Sequence, residues 1–263
     1  MVQLDRHFGR IAFGGDAAGY DAIRPSYPDW VYQLLCERCG LGPATATFEI
    51  GAGTGTATRR LLELGADPLI AIEPDTRLAA YLGERCASPP LRVLVQPFET
   101  AALDDGIFDL GISATSFHWL DEDAALAKVA RVLRTGGWWA MVWNVFGDDS
   151  RPDPFHEATR SLLAGPATPS AGRAGVPFAL DTPARLAALE RAEAFEAVEH
   201  QSSGWSLVLD PDQAVALYAT YSNVTARADR AQVLAELRRI ASDEFRGRVV
   251  RNMTTVLYTT RRR

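Results

Sequence analysis

The run Glu49-Ile50-Gly51-Ala52-Gly53-Thr54-Gly55 constrains this chain more than any other segment. Glycine at every second position lets a backbone turn sharply and approach a ligand closely, immediately ahead of a helix N-terminus. Thr47-Phe48-Glu49-Ile50 reads as a strand entering the loop. Thr56 to Leu64 reads as the helix leaving it, with Leu61, Leu62 and Leu64 apolar. A strand, glycine loop and helix in that order belong to sheets of parallel strands joined by crossover helices.

The same alternation continues downstream. Pro68 to Ile72 is a second strand closed by Glu73-Pro74, and Asp75 N-caps a helix to about Cys86. Leu91 to Val95 and Phe108 to Ser113 are further strands. Asp121 caps a helix to Arg134 that stops at Gly136-Gly137, and Trp138 to Val145 is a fifth strand. Beyond Gly147 the alternation lapses into Pro- and Gly-rich stretches (Arg151 to Pro154, Gly165 to Pro177) around a short helix near Phe155 to Leu163. Thr182-Pro183 starts a helix, with Thr182 as N-cap. Phe195 to Leu209 reads as a strand bent at Gly204, Asp210-Pro211-Asp212-Gln213 opens a helix to Tyr221, Arg230 to Ser242 is another helix, and Arg248 to Thr260 a closing strand.

These elements predict an α/β fold: a doubly wound, seven-stranded, mainly parallel sheet of Rossmann-like type. Residues 1–45 form an N-terminal helical lid within the same domain, whose helix from Pro28 to about Arg38 is expected over the strands' carboxyl ends. Residues 46–263 form the main domain, with an insertion at about 147–194 and capping helices at about 210–245.

Composition excludes several classes. No apolar run approaches the ~20 residues that span a bilayer, and Met1 to Arg10 has no apolar leader core. Cys36, Cys39 and Cys86 make no disulfide framework, and Cys36-Glu37-Arg38-Cys39 lacks the second half of a zinc ribbon. A reduced, cytoplasmic, metal-free protein is expected. The net charge of −6 argues against broad nucleic-acid binding. Ten arginines against four acidic residues from Arg227 to Arg263 are the one basic stretch, but Lys128 is the only lysine, so arginine is simply this chain's cation.

Glu73 lies twenty positions beyond Gly53, where a carboxylate can accept two hydrogen bonds from a ribose diol. A dinucleotide fingerprint shares that feature. It requires a glycine at Thr56, however, and a carboxylate at Glu49 would repel a pyrophosphate. The same carboxylate suits the ammonium and sulfonium of S-adenosylmethionine, which is the cofactor the residues favour.

Four blocks together resemble the class I S-adenosylmethionine-dependent methyltransferases (methyltransferase type 11), a broad family that includes trans-aconitate and ubiquinone-type C-methyltransferases. They are Tyr20-Asp21-Ala22-Ile23-Arg24-Pro25-Ser26-Tyr27-Pro28, the loop Glu49 to Gly55, Ile72-Glu73-Pro74-Asp75, and Phe108-Asp109-Leu110 through Phe117-His118-Trp119-Leu120 to Arg131-Val132-Leu133-Arg134-Thr135-Gly136-Gly137. The resemblance covers Tyr20 to Asn144 well and the last third loosely. It implies that Glu49, Gly51, Ala52, Gly53 and Gly55 face the methionine part of the cofactor, with Tyr20 in the lid above. Glu73 and Pro74 then hold the ribose, and Ser113 and Ala114 line the far side by backbone. Arg24 either pairs with the cofactor carboxylate or is a surface residue in a Pro-rich turn. The family often has an aspartate after the third strand to hold the adenine amino group; here Pro97 stands in its place, which shifts that role to Glu99 with Phe98 packing on the ring.

Methyl transfer is an in-line displacement, so the protein mainly positions reactants and excludes water. A base is needed only when the acceptor must lose a proton. His118 is the candidate base, against a reading in which its aromatic turn is packing. Trp143, Asn144, Trp205, Tyr218 and Tyr221 are candidates for the acceptor side. The expected acceptor is a small molecule methylated on O, N or C, yielding S-adenosylhomocysteine. RNA or peptide acceptors, or a non-catalytic S-adenosylmethionine-binding role, are the alternatives; a nicotinamide-dependent oxidoreductase fits less well. Neither nucleic-acid nor membrane partners are expected, and the oligomeric state is not specified by the sequence.

Overall fold

A computed structural model describes residues 4–172 and 175–263. The first three residues of the Met1 to Arg10 segment, and two residues of the Gly165 to Pro177 stretch, lie outside the described residues. Helix α1 spans Ala17–Ile23 and α2 Asp29–Glu37. Then follow β1 (Thr45–Ile50), α3 (Thr56–Glu63), β2 (Ala66–Ile72), α4 (Thr76–Arg85), β3 (Leu91–Leu94), β4 (Phe108–Ala114), α5 (Glu122–Val132) and β5 (Leu133–Phe146). The remainder comprises α6 (Pro154–Thr159), α7 (Thr182–Arg191), β6 (Phe195–Leu209), α8 (Pro211–Ala219), α9 (Ser222–Thr225), α10 (Arg230–Arg239) and β7 (Val249–Arg262).

The sheet has seven strands in the order β3-β2-β1-β4-β5-β7-β6. Each pairing from β3 through β5 is parallel, and β7 runs antiparallel to both of its neighbours. The order reverses between β1 and β4, where doubly wound sheets open a crevice at their carboxyl ends. Both faces are covered. On one lie Phe48, Phe108, Trp139 and Tyr258 with Leu126 and Val129 of α5; on the other lie Leu110, Ala140 and Leu257 with Val31 and Leu35 of α2 and Leu61 of α3. The period-two alternation of β5 sends Trp139, Met141 and Trp143 to the first face and Ala140 and Val142 to the second.

Four expectations are corrected. The Pro28 to Arg38 helix forms, but it is a layer helix: Val31 and Leu35 are fully buried against the sheet. The segment above the strand ends is instead the preceding one, Arg6 to Arg24. The helix from Asp121 ends at Val132 rather than at Gly136-Gly137, because Leu133 is already extended and pairs with Phe108. Asp181, not Thr182, N-caps α7, accepting from the Ala184 N–H, while Thr182 bonds the Tyr258 hydroxyl. Finally, β6 is not broken at Gly204, which pairs with Thr254 in an unbroken ladder; the irregularity lies between Glu196 and Glu199. Gly204 is instead where the Arg151 guanidinium lies against the strand.

The Cys39 thiol is buried and pushed up to about 12 by desolvation, as befits an inert core cysteine. Among the described residues, no helix is long and apolar enough to cross a membrane.

The C-terminal helices enclose a separate apolar cluster around Phe155, Leu217, Tyr218 and Leu237. Beside it lies a buried ion pair, Arg251 Nε to Asp153 Oδ2 at 3.0 Å, with side chains 1% and 3% exposed. Asp153 also caps α6 and accepts from the Asn252 N–H. Asp153→Ala strands a buried guanidinium and is expected to cost about 3–5 kcal/mol, read as a lower urea midpoint with the m-value retained.

Candidate active site

The cleft is built from the end of β1 outward. Its loop is pinned to β2 by the Gly51 and Ala52 N–H groups, which both donate to the Ile72 carbonyl at 2.8 and 3.2 Å. Glu49 is 1% exposed and accepts one hydrogen bond from Thr58 Oγ1 at 2.6 Å. Burial raises its pKa to about 8 against the lowering effect of that bond, and nearby Glu73 adds to the rise. Glu73, at the end of β2, accepts from the Gly53 N–H at 2.8 Å and from the Asp75 N–H at 2.9 Å. Burial raises it to about 7 despite those two bonds. Two carboxyl groups are thus held side by side with pKa values pushed toward neutrality, the kind of perturbation that marks functional sites.

The segment Arg6 to Arg24 roofs the cleft. Asp75 caps α4 and also accepts from the Gly14 N–H at 3.2 Å, and Arg77 donates to the Ile11 carbonyl at 2.7 Å. Arg10 pairs with Glu99 at 2.6 Å. Phe13 packs between Tyr20 and Trp119, at ring separations of 5.7 and 6.2 Å. On the far wall, Tyr27 and Thr115 share a hydrogen bond of 2.7 Å between their side-chain oxygens.

Of the residues singled out from sequence, Tyr20, Arg24, Glu49, Gly51, Ala52 and Gly53 line this cleft. So do Glu73, Pro74, Phe98, Glu99, Ala114 and Asn144. The others are elsewhere. Gly55 packs under the loop against Leu82. Ser113 is buried in the sheet, its hydroxyl bonded to Ser116 at 2.6 Å. Trp143 faces the core, where its indole N–H donates to His118 Nδ1 at 3.2 Å. Trp205 donates to Thr255 Oγ1 from the outer strand. Tyr218 and Tyr221 pack on each other outside the cleft lining, their rings tilted with centres 4.9 Å apart.

His118 is not in the wall either. It is 6% exposed and packs on Trp119 and Phe178. Burial, with a smaller contribution from Arg24, depresses its pKa to about 3. The aromatic turn is packing, and a base role for His118 has no geometric support. Its imidazole resonances are expected not to move as pH is lowered through the ordinary 6.5. Below that value the unfolded chain takes up a proton the folded ring refuses, so His118 makes stability fall between 6.5 and about 3.

Sequence reading missed Phe13, Tyr27, Ser116 and Phe146, all in the cleft wall. Tyr27 and Ser116 lay in recognised blocks but were not singled out. Phe13 sits in an N-terminal stretch with no periodicity, and Ser116 reaches the loop only because β4 runs beside β1.

A methyltransferase domain family model matches residues 48–141, from β1 into β5. An uncharacterized methyltransferase of Mycobacterium tuberculosis is 36% identical over 138 residues, 51% of this chain and 52% of that one. The malonyl-[acyl-carrier protein] O-methyltransferase of Geobacter sulfurreducens is 32% identical over 151 residues, 55% of each chain. The chain therefore spans about half the length of the curated relatives it matches. The solved phosphoethanolamine N-methyltransferase 2 of Haemonchus contortus, in complex with S-adenosyl-L-methionine, superposes with a TM-score of 0.59 at 14% identity, covering 100% of this chain and 60% of that one. At that identity the likeness is one of fold.

Proposed function

Because this chain belongs to the class I S-adenosylmethionine-dependent methyltransferase family, we propose that it binds S-adenosylmethionine in the roofed cleft and transfers the methyl group to a small-molecule acceptor. The observation that carries this reading is the pair Glu49 and Glu73 beside the glycine loop. A desolvated carboxyl held near neutrality gains most from a cationic ligand, and loses most from a pyrophosphate.

The residues present fit the cofactor. Arg24 Nε and Thr54 Oγ1 are buried in the wall without a partner. At Gly53 an added Cβ would meet nothing within 4 Å, so the loop leaves open space there. Glu49 and the backbone of Gly51, Ala52 and Gly53 would hold the methionine part, Arg24 its carboxylate, Glu73 and Pro74 the ribose. Phe98, Glu99 and Ala114 would hold the adenine end. When bound, the cofactor supplies a methyl carbon on a positively charged sulfur. The chain's own contribution is to orient that group and keep water out, with Phe13, Tyr20 and Trp119 as the roof and Tyr27, Asn144 and Phe146 on the acceptor side. No side-chain base is assigned.

A macromolecular acceptor finds little support. In the basic stretch Arg227, Arg238, Arg239 and Arg251 are each paired with a carboxylate, which withdraws those four cations from a polyanion.

Parallel calorimetric titrations with S-adenosylmethionine, S-adenosylhomocysteine and NAD test the proposal. Heat from the two adenosyl compounds and none from NAD is the expected result. Binding of NAD alone, or silence from all three, would overturn it.

A further inference from the structure

One cation in this chain is unlike the rest. Of the 27 lysine and arginine residues, Lys128 alone is a lysine. It lies half-buried on α5, between the core positions Leu126 and Val129. Its ammonium serves three carbonyls of a single loop. Nζ donates to the Phe98 carbonyl at 2.6 Å, to that of Glu99 at 3.2 Å and to that of Ala101 at 2.6 Å. It also stands 5.0 Å from the centre of the Phe98 ring.

The loop needs such a partner. After β3 the Thr100 and Ala101 N–H groups donate back to the Pro97 carbonyl at 3.1 and 3.0 Å, which makes residues 97–101 a single helical turn. No further turn follows to supply N–H groups to its last carbonyls. A cation at that end satisfies them and complements their dipole. Geometry then selects the kind of cation. Three acceptors converge on one point, which suits an ammonium whose N–H bonds diverge from one atom. A guanidinium spreads its donors over three nitrogens in one plane and has no such point. In a chain that otherwise uses arginine, the exception falls where arginine does not fit.

What Lys128 holds is part of the cleft wall. Phe98 and Glu99 both line the cleft, and the Glu99 carboxylate is tied to the roof through Arg10 at 2.6 Å. The Phe98 ring lies parallel to that of Phe48 on β1, with centres 6.2 Å apart. The turn is therefore fixed by its ring to the sheet and by its carbonyls to α5. Lys128 does not itself line the cleft, so its effect on a ligand passes through the turn.

We propose that Lys128 is a positioning residue for the adenine end of the cofactor. Its ammonium fixes the 97–101 turn, and through it the Phe98 ring and the Glu99 carboxylate that would hold the base. The proposal rests on the cofactor reading of the cleft.

The experiment compares S-adenosylhomocysteine with S-inosylhomocysteine, in which an oxo group replaces the amino group of the base. Both are titrated into the wild type, Lys128→Met and Lys128→Arg, each well below its melting temperature. The wild type is expected to favour the adenosyl compound. Lys128→Met keeps the aliphatic reach and loses the three donors. It is expected to bind S-adenosylhomocysteine about tenfold more weakly and to lose most of its preference over the inosyl compound. Lys128→Arg should restore no more than part of either, because charge returns without the converging donors. The single lysine allows a second measurement on the unaltered protein, which decides the matter if Lys128→Met does not fold. Lysine labelled with carbon-13 at Cε gives one resonance, which adenosine is expected to shift and homocysteine to leave in place. An unchanged affinity or an unchanged preference in Lys128→Met, full recovery in Lys128→Arg, or a wild type indifferent to the base would each overturn the positioning role. So would a lysine resonance blind to adenosine or moved equally by homocysteine. A wild type that binds neither S-adenosylhomocysteine nor adenosine would overturn the cofactor reading itself, whereas normal binding by Lys128→Met would remove Lys128 alone.

Discussion

At about pH 8 the Glu49→Gln protein is expected to unfold at a higher temperature than the wild type, and to bind S-adenosylmethionine roughly 30-fold or more weakly. Both effects have one cause. The Glu49 carboxyl sits at 4.5 when exposed and near 8 in the fold, so across that interval the folded chain keeps a proton that the unfolded chain has released. Stability from that proton is complete below 4.5 and is lost as pH rises through about 8. Glu73 adds the same trend up to about 7. The contribution at stake is on the order of a few kcal/mol. Glutamine keeps the shape and the Thr58 contact without the titration, so its stability should vary less over this window. A cationic ligand reverses the balance by favouring the ionised carboxylate. Cofactor binding should therefore release protons, visible in the wild type as a dependence of the binding heat on buffer ionisation enthalpy and reduced in the variant. A Glu49→Gln protein that binds the cofactor normally would sink the proposed role.

Gly51→Ala is expected to cost both fold and cofactor binding, whereas Gly53→Ala should cost binding with little loss of fold. Both glycines have positive φ, 68° and 59°, a conformation that costs an alanine about 1–2 kcal/mol. They differ in what a methyl would meet. At Gly51 it would run into the Ser116 side chain, whose hydroxyl bonds the Ser113 hydroxyl and the Ile50 carbonyl, so β1, β4 and the loop must all shift. At Gly53 the methyl would stand in open space on the cleft side of the loop. Denaturant midpoints should fall clearly further for Gly51→Ala than for Gly53→Ala, while calorimetry should find cofactor binding weakened by tenfold or more in both. Full binding by Gly53→Ala would remove the loop from the site.

The sheet was legible because its signals are local. Strands β1, β2, β3 and β5 are apolar runs closed within a few residues by glycine or proline, and Asp75, Asp121 and Asp210 each cap the helix that follows. The glycine-loop side of the cleft was legible for the same reason, since Glu49, the glycines and Glu73 lie within one strand-loop-helix-strand unit. Errors fell where local and tertiary preferences compete. The Arg131 to Gly137 stretch can extend a helix by sequence, but pairing of Leu133 with Phe108 makes it strand.

What the sequence determined, then, was the type and order of the elements and the glycine-loop side of the cleft, because helix caps, strand periodicity and a glycine turn act over a few residues. The tertiary structure decided the roof, the neutrality of His118 and the aromatic wall at Arg24 and Phe146. Arg6 to Arg24 roofs the cleft through bonds to Asp75 and Arg77 of α4, and His118 is buried by Trp143 and Phe178 from distant segments. Arg24, Phe146, Tyr218, Tyr221 and Arg251 meet only when the sheet closes. Desolvation and unmet hydrogen bonds arise from what surrounds a group in space, and no local pattern encodes that surrounding.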